Sequence, residues 1–233
     1  MTSIVIPLGS GSPDQDIELR FTLRGIEQFL FNVGQVFIIG TCPKWLNLGE
    51  VVHIPFEEKD HYRFLTRNIH QKIETACNDK RVSEDFLFMN DDHFLLRAFD
   101  ARNFPYHHTG PSWLGRGKYL QTMADTRQLL GEGINNYDTH APVLINKQKY
   151  LHTVALADWK KHFGYCIKTM YCVMNNISGE YYPDLKLNRP LSTYEVAEQV
   201  TGRPYFSIGD KALNREMKEY LEMLYPKPSK YEL

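Results

Sequence analysis

The chain has no paired-cysteine motif, no membrane-length apolar run and no excess of one charge, and each absence removes a class of protein. Its four cysteines, Cys42, Cys77, Cys166 and Cys172, form neither a CxxC pair nor a secreted-domain framework. They read as small buried thiols in a reducing compartment. The longest charge-free stretch, Gln28 to Pro43, is interrupted by Asn32, Gly34 and Gln35 and falls short of the ~20 residues that cross a bilayer. The opening MTSIVIPLGSGS lacks the charged segment and apolar core of a secretory signal. A cytoplasmic protein without a membrane span is the expectation. Lys+Arg 27 against Asp+Glu 28 leave a formal charge of −1, so no global field indicates nucleic acid as a partner. There is also no Walker loop and no GxGxxG, since position 14 is Asp.

What is present suits one globular domain: 233 residues, 42% apolar and 24% charged. Ser3–Leu8 is an apolar strand run, followed by the turn Gly9-Ser10-Gly11-Ser12-Pro13. Ser12 with Gln15, and Pro13 at a first helical position, predict a helix start. Leu19, Leu23, Ile26, Leu30 and Val33 give one apolar face, with Gly34 as the stop. Gln35–Ile39 and Val51–Ile54 read as strands, residues 62–78 as a helix, and Asp85–Met89 as a strand buried on both faces. This alternation predicts an α/β fold, a mostly parallel sheet over residues 3–97 flanked by helices. Residues 98–135 read as looser chain across the open sheet edge. The remainder reads as mostly helical, through Ala155–Asn175 and Lys211–Leu224, and the tail Pro226–Leu233 as frayed or packed as a strap.

Asn90-Asp91-Asp92-His93 directly follows the most buried strand, and open α/β sheets bind ligands at the carboxyl ends of their strands. Adjacent carboxylates there are costly without a positive partner. A divalent cation satisfies Asp91 and Asp92: Mg²⁺ or Mn²⁺ by their oxygen ligands, Mn²⁺ if an imidazole joins. A polar turn capping its own backbone is the other reading. His140, in Asp138-Thr139-His140-Ala141-Pro142, is a candidate third ligand or donor-positioning group. Arg67 and Asn68, with Lys72 about a turn on, suit a diphosphate or a nucleobase, or a solvated helix face. Gly9 and Ser10 either offer backbone N–H groups to phosphate or form a plain turn. Lys168, beside an apolar face, is a phosphate candidate. Lys147, Lys149, Lys160 and Lys161 read as solvated.

Joined in order, the ELRFTLRGIEQFL helix, the VFIIG strand, CPKWLN, the RN-containing helix and FLFMNDD resemble the GT-A superfamily of sugar-transferring proteins. The nearest resemblance is to Stealth-type capsular polysaccharide phosphotransferases. It covers roughly residues 4–97, with an echo at THAP. Where that family opens with a WVDGSDP type of sequence, this chain has IPLGSGSPDQD. The resemblance implies a GT-A-like fold, with residues 3–97 binding the nucleotide-sugar and a helical second half on the acceptor side. It also implies a UDP- or GDP-sugar donor, a metal-dependent glycosyltransferase reaction and a glycan or other hydroxyl acceptor. The metal set is then Asp92, Asp91 and His140. Pro7, Leu8, Gly9 and Ser10 lie against base or ribose, and Arg67, Asn68, Lys72, Asn90 and Asp91 line the donor. Asp125, Asp138, Glu180 and Asp184 are candidate bases. Three alternatives stay open: sugar-phosphate transfer of the Stealth kind, nucleotidyl transfer, and a non-catalytic binder stacking ligands on Trp45, Trp113, Tyr106 and Tyr137.

Overall fold

The computed structural model describes residues 1–10, 15–58, 65–111, 119–157 and 164–233. The first half contains β1 (Thr2–Leu8), α1 (Ile17–Phe29), β2 (Leu30–Phe31), β3 (Val33–Gly40), β4 (Val51–Pro55), α2 (Leu65–Asn78) and β5 (Asp85–Phe88). Then follow β6 (Phe94–Leu95), β7 (Phe99–Asp100), β8 (His107–His108), α3 (Tyr119–Leu130) and β9 (Val143–Asn146). The rest is α4 (Lys147–Ala157), α5 (Ile167–Met174), β10 (Glu180–Tyr181), β11 (Lys186–Leu187), α6 (Thr193–Val200), β12 (Tyr205–Ile208) and α7 (Arg215–Leu224).

The central sheet has the order β4-β3-β1-β5-β9. It is parallel except for its last strand, with Val5 beside both Phe37 and Phe88, and Phe88 opposite Val143. Side chains alternate between two apolar layers. Val5, Phe37, Phe86 and Phe88 pack with Ile73 of α2, Tyr150 of α4 and Met170 of α5. Ile4, Ile6, Ile38 and Leu87 pack with Leu19, Leu23 and Ile26 of α1. This is the α/β sheet flanked by helices that the strand and helix patterns predict, with β5 interior as expected.

Several boundaries differ for physical reasons. Ser12 and Pro13, the predicted helix start, lie outside the described residues; α1 begins after two left-handed residues, Gln15 and Asp16 (φ 56° and 57°). It ends at Phe29 rather than at Gly34, because Leu30 is already extended and Asn32 turns the chain at φ 58°. A short polar side chain tolerates that conformation. Leu30 and Phe31 then pair with Phe99 and Asp100, and Gly34 lies inside β3. Within the region expected to be loose, α3 is a regular helix. The single helix expected over Ala155–Asn175 is α4 and α5, with Gly164 (φ 98°) between them. A Cβ there would come within 3.1 Å of the Arg67 backbone nitrogen.

The second half is not simply helical. It supplies the antiparallel edge strand β9, and it builds most of a second sheet, β11-β12-β6, packed on α6 and α7. Helix α7 starts at Arg215, where the Asn214 side chain caps the Met217 N–H, not at Lys211. Lys147, expected to be solvated, is buried and donates to the carbonyls of Asp79 (2.7 Å) and Val82 (2.5 Å). Lys160 and Lys161 lie outside the described residues. Cys77, Cys166 and Cys172 are buried free thiols, and Cys42 is exposed. The tail is a packed strap: the Glu232 carboxylate takes two 2.8 Å hydrogen bonds from Arg24, and the Leu233 N–H donates to the Trp45 carbonyl. Among the described residues no helix is long and apolar enough to cross a membrane.

Candidate functional site

The site forms where β5 ends. The Asn90 N–H donates to His93 Nδ1 (3.2 Å), closing a tight turn around Asp91 and Asp92. From α1, the Thr22 hydroxyl donates to the Asp91 carbonyl (2.7 Å), fixing that turn to the sheet. His93 is fully buried, and because Nδ1 accepts, its proton resides on Nε2, which has no hydrogen-bond partner. Burial, then the charge of Lys168, keeps the ring neutral.

Asp92 is held from the second sheet. Its Oδ2 accepts from Ser207 Oγ (2.7 Å) and Lys186 Nζ (3.0 Å), and these two residues are register partners across β11 and β12. Burial opposes its charge, but Lys186, with the Ser207 hydrogen bond, holds the carboxyl below the ordinary range. Its Oδ1 is buried without a hydrogen-bond partner. Asp91 moves the other way, pushed up by burial and then by Asp92 and Glu18.

His140 approaches from the loop between α3 and β9. Asp184 grips it twice, with Oδ1 accepting from the His140 backbone N–H (2.8 Å) and Oδ2 from ring Nδ1 (2.5 Å). Burial opposes the Asp184 charge and the His140 hydrogen bond outweighs it, so that carboxyl is held low. With Nδ1 donating, Nε2 is the ring nitrogen left to take a proton. Lys168, fully buried on α5, donates to the carbonyls on either side of His140, Thr139 (2.6 Å) and Ala141 (2.5 Å). It is therefore a holder of the histidine loop rather than a solvent-facing phosphate binder. Electrostatic contacts join His93 to Lys168, Asp92, His140 and Lys186, and Lys168 to Asp138, Asp184 and Asp92, so these groups share one neighbourhood.

The other expected residues fall at varying distances from this centre. Leu8 and Gly9 end β1, tied down by Lys72 Nζ on the Leu8 carbonyl (2.7 Å) and by the Thr41 hydroxyl on the Gly9 carbonyl (2.7 Å). Gly40 passes so close that a Cβ would lie 1.9 Å from the Leu8 oxygen. Pro7 and Gly9 are half-buried and Ser10 is exposed. Lys72 is buried and ion-paired with Glu58 (2.6 Å), so it builds this end of the strand. On α2, Arg67 is half-buried and Asn68 fully buried. Asp125, on α3, accepts from Gln121 (2.7 Å), while Glu180 is exposed on β10. Asp138 is raised by burial and accepts weakly from the Thr169 N–H (3.4 Å). The stacking platforms are occupied: Arg20 lies over Trp45, and the Tyr106 and Tyr137 hydroxyls donate to the Leu144 and Ile177 carbonyls. Trp113 lies outside the described residues.

The chemistry of Asp92, with Asp91 next to it in sequence, suits a divalent ion. Mg²⁺ and Mn²⁺ are commonly held by one or two carboxylates plus phosphate oxygens, and Asp92 Oδ1 is a buried carboxylate oxygen awaiting a partner. Among the described residues no three His, Cys, Asp or Glu side chains converge as a cage. Lys186 and Ser207 carry no motif of their own in the sequence; only the fold brings them here.

No protein-family model matches the chain. Over 114 residues the chain is 31% identical to the capsular polysaccharide phosphotransferase LcbA of Neisseria meningitidis, a match covering 46% of this chain and 31% of that protein. The matched region is thus about a third of the relative's length. Among solved structures, a glycosyltransferase involved in the glycosylation of the major capsid of PBCV-1 aligns over 97% of this chain and 100% of its own, at 14% identity and a TM-score of 0.42. The resemblance read from the ELRFTLRGIEQFL and FLFMNDD segments is therefore met by sequence similarity to a capsular polysaccharide phosphotransferase.

Proposed function

We propose that the chain binds a nucleoside-diphosphate sugar at the carboxyl end of the central sheet and transfers its sugar phosphate to an acceptor hydroxyl, with His140 as the base. The observation that carries this reading is the His140–Asp184 pair, which shares its electrostatic neighbours His93 and Lys168 with the half-satisfied Asp92 carboxylate. His140 Nε2 takes the acceptor proton as the hydroxyl oxygen bonds to the β-phosphorus. The bond from that phosphorus to the bridging oxygen breaks, and a nucleoside monophosphate leaves with the electron pair. Asp184 keeps the proton of Nδ1 in place and stabilises the imidazolium that forms. Lys168 prevents the loop from swinging, and Arg67 and Asn68 orient the nucleotide. A divalent cation, Mn²⁺ or Mg²⁺, held by Asp92 with Asp91 close by, would neutralise charge on the departing phosphate. The free thiols suit a cytoplasmic setting.

Similarity to a phosphotransferase supports sugar-phosphate transfer. The opening IPLGSGSPDQD, without that family's aspartate and tryptophan, supports glycosyl transfer as the second reading. There the acceptor oxygen attacks the anomeric carbon and a nucleoside diphosphate leaves. Incubation with UDP- and GDP-sugars, Mn²⁺ and a panel of glycans separates the two by the nucleotide released. Monophosphate supports the first and diphosphate the second, and monophosphate release undiminished in His140→Ala would remove His140 as the base.

A further inference from the structure

In the second sheet β6 and β12 run antiparallel, with Leu95 opposite Tyr205 and Phe94 opposite Phe206. The ladder continues through the Leu96 N–H, which donates to the Pro204 carbonyl at 2.9 Å. Beyond it the strands end: Arg97 sits at a bend after β6 and Arg203 in the turn before β12, so the two arginines flank the same end of the ladder. Among the described residues neither guanidinium has a carboxylate partner. Arg97 lies over the Phe99 ring, 5.2 Å from its centroid. Arg203 lies over the Tyr182 ring at 5.8 Å and donates to the Pro183 carbonyl at 3.2 Å.

The rings they cover, Phe99 and Tyr182, both pack on Tyr205, at 6.4 and 5.0 Å, so the two arginines lie over one aromatic face. That face has an aromatic floor. The Tyr205 hydroxyl and His107 Nδ1 are 2.8 Å apart, and the Tyr182 ring stands 5.0 Å from Tyr205 and 5.2 Å from His107. The field of Arg97 reaches His107, Tyr182 and Tyr205. The carboxylates in this neighbourhood are Glu180, exposed on β10, and Asp184, already engaged by His140. Tyr182 precedes Asp184 by two residues, roughly 7 Å of extended chain, which places the arginine pair beside the proposed base.

The geometry points to Arg97 and Arg203 as a subsite for an anionic group of the acceptor, a phosphodiester or a carboxylate on the glycan next to the attacked hydroxyl. Two planar forks over aromatic rings suit such oxyanions in a way a single surface cation does not. The assignment to the acceptor rests on the transfer reaction proposed above; anion binding by the pair does not.

The test uses inorganic phosphate and glucuronate as probes, with glucose as the neutral control, followed by arginine Nε–H resonances and calorimetry at low salt. Phosphate or glucuronate, and not glucose, is expected to shift the two arginine signals, and the preferred anion names the acceptor group. Arg97→Gln/Arg203→Gln is expected to weaken that binding at least tenfold, leave UDP and GDP binding unchanged, and keep cooperative unfolding in anion-free buffer. Equal anion binding by the double variant overturns the subsite. Displacement of phosphate by UDP with Mn²⁺ overturns its assignment to the acceptor. A chain that binds anions through the arginines yet releases no nucleotide from any donor keeps the subsite and removes the transfer reading instead.

Discussion

Asp184 holds His140 with both carboxylate oxygens, one on the backbone N–H and one on ring Nδ1. Loop position and ring tautomer are thereby fixed by one side chain 44 residues away in sequence. Asp184→Asn keeps the shape, but its amide must turn either a donor or its single carbonyl oxygen to the ring, and the imidazolium loses its counter-charge. Turnover is expected to fall by roughly two to four powers of ten, the range seen when an orienting aspartate is neutralised in other His–Asp pairs. The melting temperature should move by a few degrees at most. Initial rates and a melting curve on the same preparation check this, and a parental rate would return His140 to a structural role.

Lys168 donates to the two carbonyls that bracket His140 from a fully buried position. Lys168→Met leaves both oxygens buried without donors, at a cost of about 2–4 kcal/mol. Amide exchange at Thr139, His140 and Ala141 should accelerate well beyond that in β1. Unchanged exchange across the loop would show that the lysine does not hold it.

The sequence offers Asp92 as a candidate metal ligand in the turn after β5. In the structure it also joins the β5 turn to the β11–β12 pair through Lys186 and Ser207. Asp92→Asn is therefore expected to lose about 1.5–3 kcal/mol of stability, the value of a charge-assisted hydrogen bond. It should also lose any Mn²⁺-dependent rise in melting temperature seen with a nucleotide-sugar. A variant that melts like the parent and still responds to Mn²⁺ would refute both roles.

His70 gives the fold an acid limit. It is fully buried on α2 between the Tyr150 hydroxyl (2.8 Å) and the Tyr165 carbonyl (3.2 Å), and burial lowers its pKa from 6.5 to about 4. The folded chain therefore resists protonation that the unfolded chain accepts. This contribution is complete above pH 6.5 and is lost as pH falls toward 4, by about 3 kcal/mol in all. Denaturant unfolding at several pH values should show a shallower pH dependence in His70→Gln than in the parent across that window. Parallel curves would show that His70 is not the group responsible.

The sequence exposes what repeats or clusters locally. Apolar runs mark β1, β3, β4 and β5, and the adjacency of Asp91 and Asp92 to the most buried run marks the site. It hides what depends on long separations. Strands of two residues, such as β6 and β11, are too short to show a period. Asp184 is visible as one of several carboxylates, but nothing local tells a base from a residue that orients one. Lys168 and Lys147 look like surface lysines because their partners are backbone carbonyls, which leave no trace in side-chain spacing. Helix α1 ends early because Leu30 turns extended to pair in β2 and Asn32 then turns the chain, neither of which shows in the apolar spacing that runs past them.

The strand that covers β5 comes from Val143–Asn146, long after β5 itself. While the chain is being made, β1, β3, β4 and β5 can assemble, but the edge of β5 stays open until those residues emerge. At ordinary elongation rates that interval is roughly 3–10 s. An apolar strand edge left unpaired so long is a template for other chains. Residues 1–97 made alone keep that edge permanently and should aggregate, so this half cannot be prepared as a separate soluble piece.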